Sequence, residues 1–215
     1  MTGMKSDGSS QLNSTFELEN TSDITEVLMH ILDKRRTVLP KRLIAPGPND
    51  AQLSILFDAA ATAPDHDQIL PWRFIIFPAS SRESLGELFA QALLERDANA
   101  TREQTDQARE KAFRSPLLML LVVDDARGDQ DVDLNERLLS AGCAVQNILS
   151  AATSMNFGSS LISGKAMKSS VFRAGLGLTS GEHAICFLSV GSVEMSKPGK
   201  VRPNSLQFVT TWKPF

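Results

Sequence analysis

The sequence has few of the residues that build disulfide frameworks or zinc sites. It contains two cysteines, Cys143 and Cys186, which are far apart and lie in apolar stretches. No CxxC pair and no cysteine–histidine spacing typical of a zinc site occurs. We therefore expect both thiols to be buried, apolar side chains of a protein that resides in the reducing cytoplasm.

A surplus of positive charge and a long apolar run are also absent. The 215 residues carry a net charge of −3, which argues against a broad nucleic-acid-binding surface. No stretch reaches the length of a membrane span, and the N-terminus lacks the apolar core of a signal peptide. The composition is that of a globular protein. We predict a flexible tail over residues 1–21 and one domain over residues 22–215.

Motifs for several common chemistries are missing as well. The sequence has no Walker motif, no GxGxxG after a strand, no GxSxG and no HExxH. His30 and His183 sit within a predicted helix and at the start of a predicted strand, where structural roles are expected. Protein nucleophiles and metal ions thus find little support, which favours chemistry carried by an organic cofactor.

Hydrophobic periodicity predicts alternating helices and strands without a regular βαβ rhythm. This pattern favours an α+β domain with a central mixed sheet flanked by helices. The sequence after residue 194 is Pro-containing and basic, and we expect it to form an extended C-terminal arm. Helices are predicted from about residue 22 to 36, 50 to 63, 81 to 96, 98 to 113, 133 to 156 and 166 to 175, and strands at 72–78, 115–125, 159–163 and 183–193.

Three polar stretches are candidates for a binding site. In "RRT", Arg35 and Arg36 supply two guanidinium forks and Thr37 a hydroxyl, a combination that suits a phosphate monoester. An ordinary cationic helix end is the alternative. "ATAPDHDQILPW", residues 61–72, places polar groups between a helix and a strand, as a ligand site or as a hydrogen-bonded turn. In "NFGSSLISGKA", residues 156–166, Gly164 permits close backbone approach and Ser163 offers a donor.

The order and spacing of these stretches resemble the flavin-dependent nitroreductase family, in its small, single-domain bacterial branch. The family's "RRS" is matched by Arg35-Arg36-Thr37, and its "RAPDHKSMQPWHF"-like text by "TAPDHDQILPWRF". Its "SAG" is matched by residues 140–142, its "GFGG…SG" by "NFGSSLISG", and its "GFLYLG"-like strand by "CFLSVG". The resemblance extends from about residue 22 to the C-terminus.

The resemblance implies an intertwined homodimer with FMN at the interface and NAD(P)H as electron donor. It implies ping-pong reduction of nitroaromatics, quinones or similar acceptors, with no catalytic side chain on the protein. No ribose-binding fingerprint favours NADH or NADPH. The implied cofactor contacts are Arg35, Arg36, Thr37 and Arg202 at the phosphate, His66 from the other chain with Thr62 and Gln68 nearby, and Leu161, Ile162, Ser163 and Gly164 along the flavin ring.

Some positions depart from the family pattern. Leu39 stands where a basic residue neutralises the reduced flavin, Leu70 replaces the Gln of "QPW", and Ile162 replaces an Arg. Lys41 or Arg42 could substitute from the neighbouring loop. These losses leave two alternatives open: a flavin-binding protein with little turnover, such as a carrier or redox sensor, and an interaction module without a cofactor.

Overall fold

A computed structural model describes residues 21–194 and 201–214 of the chain. All but the last residue of the predicted N-terminal tail lie outside these ranges, as do residues 195–200 of the predicted arm. The helices are Thr21–Lys34 (α1), Asp50–Ala61 (α2), Arg82–Arg96 (α3), Arg102–Arg109 (α4), Leu134–Ser154 (α5) and Ser170–Gly175 (α6). The strands are Leu43–Ile44 (β1), Trp72–Ile76 (β2), Leu117–Asp124 (β3), Gly158–Ile162 (β4) and Glu182–Val193 (β5).

The five strands form one sheet in which β5 pairs with β1, β3 and β4, and β3 also pairs with β2. All four pairings are antiparallel, so the predicted mixed sheet has its parallel component, among the described residues, only in an isolated bridge between Thr37 and Ser159. Strand β3 is buried along almost its whole length. Its apolar run on both faces correctly predicts a central strand.

Alternating side chains of β3 build two apolar cores, one on each face of the sheet. Met119, Leu121 and Val123 pack with α2 and α5, whereas Leu118 and Val122 pack with α3, α4 and α6. Both faces of the sheet are therefore covered by helices, which confirms the α+β architecture. No helix in the described ranges is long and apolar enough to cross a membrane.

Two sets of apolar residues are more exposed than their type suggests. The apolar face of α1 is largely open to solvent, with Val27 55% and Leu28 52% exposed, and of its apolar residues only Ile31 and Leu32 are half-buried. Cys143 is half-buried on α5, whereas Cys186 is buried in β5 as expected. Burial raises the pKa of the Cys186 thiol to about 11, so this cysteine stays protonated and unreactive at neutral pH.

Helix α2 begins at a complete capping box. The backbone N–H of Gln52 donates to Asn49 Oδ1 at 2.9 Å, and the Asn49 N–H donates to Gln52 Oε1 at 3.0 Å. We expect Asn49→Ala to lower the free energy of unfolding by about 1 kcal/mol, because the Gln52 N–H at the helix start loses its acceptor. Urea unfolding followed by circular dichroism measures this change.

Ser54→Ala is the matched control on the same helix, since its hydroxyl only reaches Asp58 at 3.4 Å on the solvent side. Equal stability losses in the two variants would show that the capping box contributes nothing specific.

Candidate functional site

The end of α1 is joined to β4, and this junction forms a cavity. The Val38 N–H donates to the Ser159 carbonyl at 2.9 Å, next to the bridge between Thr37 and Ser159. Because the chain after α1 is tied to the strand, the "RRT" stretch is held against the sheet. The cavity has a volume of about 290 Å³ and is lined by Arg35, Thr37, Gln146, Leu149, Ser159, Ser160 and Leu161.

Three guanidinium groups cluster at this junction. Arg202 of the C-terminal arm donates to the carbonyl of Arg35 at 2.8 Å and to that of Leu32 at 3.4 Å. Burial lowers the pKa of Arg35, and the positive charges of Arg202 and Arg36 lower it further. None of the three forms an ion pair with a carboxylate within the described ranges. The cluster therefore carries positive charge that an anion could neutralise.

Arg36 is oriented differently from its neighbour. Its guanidinium donates to the carbonyls of Asp33 and Arg35 at the end of α1, where a cation also suits the helix dipole. Arg36 is not among the residues that line the cavity. Arg35 therefore lines the cavity, whereas Arg36 affects Arg35 only through its charge.

Two buried serines are among the residues that line this cavity. Ser159 and Ser160 are each 2% exposed, and neither Oγ has a hydrogen-bond partner among the described residues. A buried hydroxyl without a partner is costly, so a polar group from a ligand or water is expected to satisfy it. Because β4 side chains alternate between the faces of the sheet, only one of the two hydroxyls faces this cavity. Ser159 lies opposite Val190, on the same face as Leu149, whereas Ser160 lies opposite Ser189, on the other face.

Polar side chains fix the conformation of the stretch between α2 and β2 and attach it to α5. Asp65 Oδ2 accepts the Leu70 N–H at 2.6 Å, and Gln68 and Leu70 have positive φ values of 56° and 47°. His66 Nδ1 lies 2.5 Å from Glu136 Oε1 in the first turn of α5. Thr62 Oγ1 accepts from Asn147 Nδ2 of α5 at 3.0 Å. The loop is thus docked on α5.

The structure distributes the predicted site residues over three places. Arg35, Thr37 and Leu161 line the cavity, and Arg202 contacts its edge. Thr62, His66 and Gln68 are not part of the lining of the Arg35 cavity, and their role toward a second subunit stays a prediction. Ile162, Ser163 and Gly164 line a second cavity, which lies on the other face of the sheet.

Sequence reasoning missed four residues of the lining. Gln146 and Leu149 project from α5, and Ser159 and Ser160 come from the start of β4. The serines were visible in "NFGSS", but only the pairing of β4 with the end of α1 reveals that they lie beside Arg35. Gln146 had no signal, because an exposed glutamine on a helix is ordinary.

The contact between His66 and Glu136 raises the pKa of the imidazole, first through the hydrogen bond and then through the charge of the carboxylate. We expect Glu136→Gln to return the pKa of His66 toward its ordinary value of 6.5. A raised pKa means that protonated His66 stabilises the fold below about pH 6.5, and that this contribution is lost as the pH rises through the folded-state pKa. Titration of the imidazole proton shifts by NMR measures the change.

Glu83→Gln is the control for this titration, since Glu83 is an exposed carboxylate on α3. A His66 pKa that stays raised in Glu136→Gln would contradict the assignment of the shift to this contact.

Comparison with known proteins gives consistent matches over most of the chain. The chain is 30% identical over 183 residues to the Escherichia coli K12 protein named "Putative NAD(P)H nitroreductase YdjA", covering 85% of this chain and 97% of that protein. A Haemophilus influenzae protein of similar name is 32% identical over 152 residues, covering 71% and 82%.

Solved structures share the fold at lower identity. A nitroreductase-like family protein from Bacillus cereus superposes with a TM-score of 0.74 at 19% identity, covering 87% of this chain and 96% of its own. A nitroreductase with bound FMN from Desulfitobacterium hafniense superposes with a TM-score of 0.63 at 20% identity, covering 87% and 98%.

The family model described as "Nitroreductase family" matches residues 32–192. This range begins just before the "RRT" stretch and ends near the end of β5, so it contains the cavity and the sheet that supports it. With relatives of at least 30% identity over most of its length, the chain belongs to the nitroreductase family.

Proposed function

We propose that the protein is an FMN-dependent NAD(P)H oxidoreductase that acts as a homodimer in the cytoplasm. The observation that carries this proposal is the Arg35 cavity, where Arg35 and Arg202 form no ion pair within the described ranges. Beside them lies the buried hydroxyl of Ser159, which has no hydrogen-bond partner among the described residues. The relatives named as NAD(P)H nitroreductases and the FMN bound to the Desulfitobacterium hafniense structure support the choice of cofactor and donor.

The residues present fit a phosphorylated flavin. Arg35 and Arg202 would neutralise the phosphate, which needs two positive charges near its dianionic state, and Thr37 would donate a hydroxyl to it. The hydroxyl of Ser159 would form a hydrogen bond with a polar group of the cofactor, a partner that it lacks among the described residues. The segment 161–164 would lie along the flavin ring, where Gly164 leaves room for the backbone to approach.

Bound FMN would supply the two-electron redox chemistry between NAD(P)H and an acceptor, which we propose to be a nitroaromatic, a quinone or a similar compound. Donor and acceptor would use the same site in turn, giving ping-pong kinetics. The chain's own residues would position the reactants and exclude water, and no side chain is proposed as a nucleophile.

Exposed apolar surface supports the homodimer. The apolar face of α1 is open to solvent, and in the C-terminal arm Phe208 is 68% and Trp212 81% exposed. Apolar patches of this kind rarely stay uncovered in a soluble monomer. We propose that a second copy covers α1 and that the two arms exchange contacts, which would bring His66, Thr62 and Gln68 of one chain toward the cofactor of the other.

The test is the visible spectrum of the purified protein, followed by steady-state oxidation of NADH and NADPH with nitrofurazone or menadione as acceptor. We expect a flavin spectrum, FMN as the released flavin, and turnover with at least one acceptor. A colourless protein that does not take up FMN would overturn the proposal.

A flavin-binding protein with little turnover is the second candidate. Two apolar residues favour it: Leu39 and Leu70 are 51% and 42% exposed. They stand at positions where the family pattern has a basic and a polar residue. A yellow protein that oxidises neither nicotinamide with either acceptor would support this candidate over the enzyme.

A further inference from the structure

A second cavity lies on the face of the sheet that packs against α3, α4 and α6. It has a volume of about 300 Å³, and its apolar lining consists mainly of Phe89, Leu93, Leu118, Met167 and Phe187. Most of these side chains belong to the core on that face, whereas Leu149 of the Arg35 cavity belongs to the core on the opposite face. The two cavities are therefore separated by the sheet.

Positive side chains surround the mouth of this second cavity. Arg96 comes from the end of α3, Lys111 and Arg114 from the turn before β3, and Lys165 from the segment after β4. No Asp or Glu of the described chain lines the cavity. None of the four cations forms an ion pair in the ranges that the structure describes. The mouth is thus positively charged, and no carboxylate of the described residues neutralises it.

The cations also act on one another. Burial lowers the pKa of Lys111, and the positive charges of Arg114 and Arg96 lower it further. Like charges held close together without a counter-ion destabilise one another, so a bound anion would relieve this repulsion. The electrostatics of the mouth therefore favour a negative ligand.

A buried serine hydroxyl lines this cavity. Ser189 is 1% exposed, and its Oγ makes no hydrogen bond to any described residue. The same holds, within the described ranges, for the hydroxyl of Ser160, which lies opposite Ser189 in the β4–β5 pairing. Because a buried hydroxyl without a hydrogen bond is unfavourable, a polar group in the cavity is expected beside Ser189.

We propose that this cavity binds a small aromatic carboxylate with a second polar substituent. The carboxylate would lie at the mouth between Lys111, Arg114 and their cationic neighbours. The ring would lie on the apolar lining, and the substituent would accept or donate a hydrogen bond at Ser189. An apolar lining with a few convergent polar groups is the usual composition of a small-molecule site.

This inference goes beyond the proposed oxidoreductase activity and does not depend on it. The cavity shares Ile162, Ser163 and Gly164 with the segment assigned to the flavin ring. The ligand would therefore be a neighbour of the cofactor and not a competitor for its phosphate site, which lies on the other face of the sheet.

Isothermal titration with 4-hydroxybenzoate tests the proposal, using protein saturated with FMN and, separately, protein as purified. We expect one site per chain and binding about tenfold tighter than that of 4-hydroxybenzamide, which keeps the shape and loses the charge. In the wild-type protein, benzoate, which lacks the hydroxyl substituent, should bind more weakly than 4-hydroxybenzoate. In Ser189→Ala the two ligands should bind equally well, because the partner of the substituent is gone.

Arg114→Gln and Lys111→Gln should each weaken 4-hydroxybenzoate binding by about fivefold to tenfold. Arg102→Gln is the control, because its side chain is 96% exposed on α4 and outside the cavity lining. Absence of binding, equal affinities for the acid and the amide, or complete displacement of 4-hydroxybenzoate by FMN would overturn the proposal. Binding to protein that takes up no FMN would uphold it while the proposed function fails.

Discussion

Replacing Arg35 by Gln is expected to raise the Kd for FMN by about 10- to 100-fold. The guanidinium of Arg35 lines the cavity at the end of α1, and Arg202 reinforces its charge from the C-terminal arm. A hydrogen bond to a charged group contributes about 1.5–3 kcal/mol, which corresponds to this range of affinity. Fluorescence quenching of flavin on addition to the apoprotein measures the Kd.

Riboflavin and Arg36→Gln are the controls for this result. Riboflavin lacks the phosphate, so its Kd should change little in Arg35→Gln. The guanidinium of Arg36 donates to carbonyls at the end of its own helix, so Arg36→Gln should weaken FMN binding less than Arg35→Gln does. Equal losses for FMN and riboflavin in Arg35→Gln would contradict a phosphate site at Arg35.

The second large effect is expected at Arg137, a fully buried arginine on α5 that organises the loop between β3 and α5. Its Nε donates to the Val132 carbonyl at 2.8 Å, and its Nη atoms donate to the carbonyls of Asp124, Arg127 and Asp129. We expect Arg137→Leu to lower the free energy of unfolding by about 3 kcal/mol or more, because these carbonyls lose charged donors in a buried place. Urea unfolding followed by tryptophan fluorescence measures this loss.

Arg127→Leu is the matched control, since Arg127 lies in the same loop and its side chain is exposed. It removes a positive charge without removing a donor to the loop carbonyls, so its stability should change by less than about 0.5 kcal/mol. Similar losses in the two variants would show that loss of charge, and not the hydrogen bonds of Arg137, is responsible.

Several elements of the fold were predictable because their signals are local. The apolar run of β3 predicts a central strand, and the structure buries almost all of it. A capping box of Thr101 and Gln104 begins α4, and the two residues stand in the sequence at the spacing typical of this motif. In both cases the residues that determine the structure are close together in the sequence, so no knowledge of the tertiary arrangement was needed.

Features that depend on distant contacts were not predictable. The periodicity of α1 predicts an apolar face, but not that this chain alone leaves that face exposed. The "RRT" stretch does not reveal which of its two guanidinium groups lines the cavity, because the cavity forms only where the end of α1 meets β4 and α5. The cationic mouth of the second cavity joins residues from α3, the turn before β3 and the segment after β4, which only the folded sheet brings together.

The assignment of Arg35 to a phosphate site depends on the family resemblance, because the local residue pattern allows two interpretations. Neither composition nor spacing separates a phosphate site from a cationic helix end at Arg35, and the choice came from the order of several motifs along the chain. The structure adds that, within the described ranges, Arg35 has no carboxylate partner and lies near the Ser159 hydroxyl, which has no hydrogen-bond partner. These facts give the family assignment a physical basis at this position.

Native mass spectrometry of the purified protein, after incubation with FMN, tests the central claim most directly, because one spectrum reports the number of chains and the mass of the bound cofactor. The account predicts a dimer that carries one FMN per chain and loses FMN more readily when Arg35 is replaced by Gln. A monomer without bound flavin would contradict it.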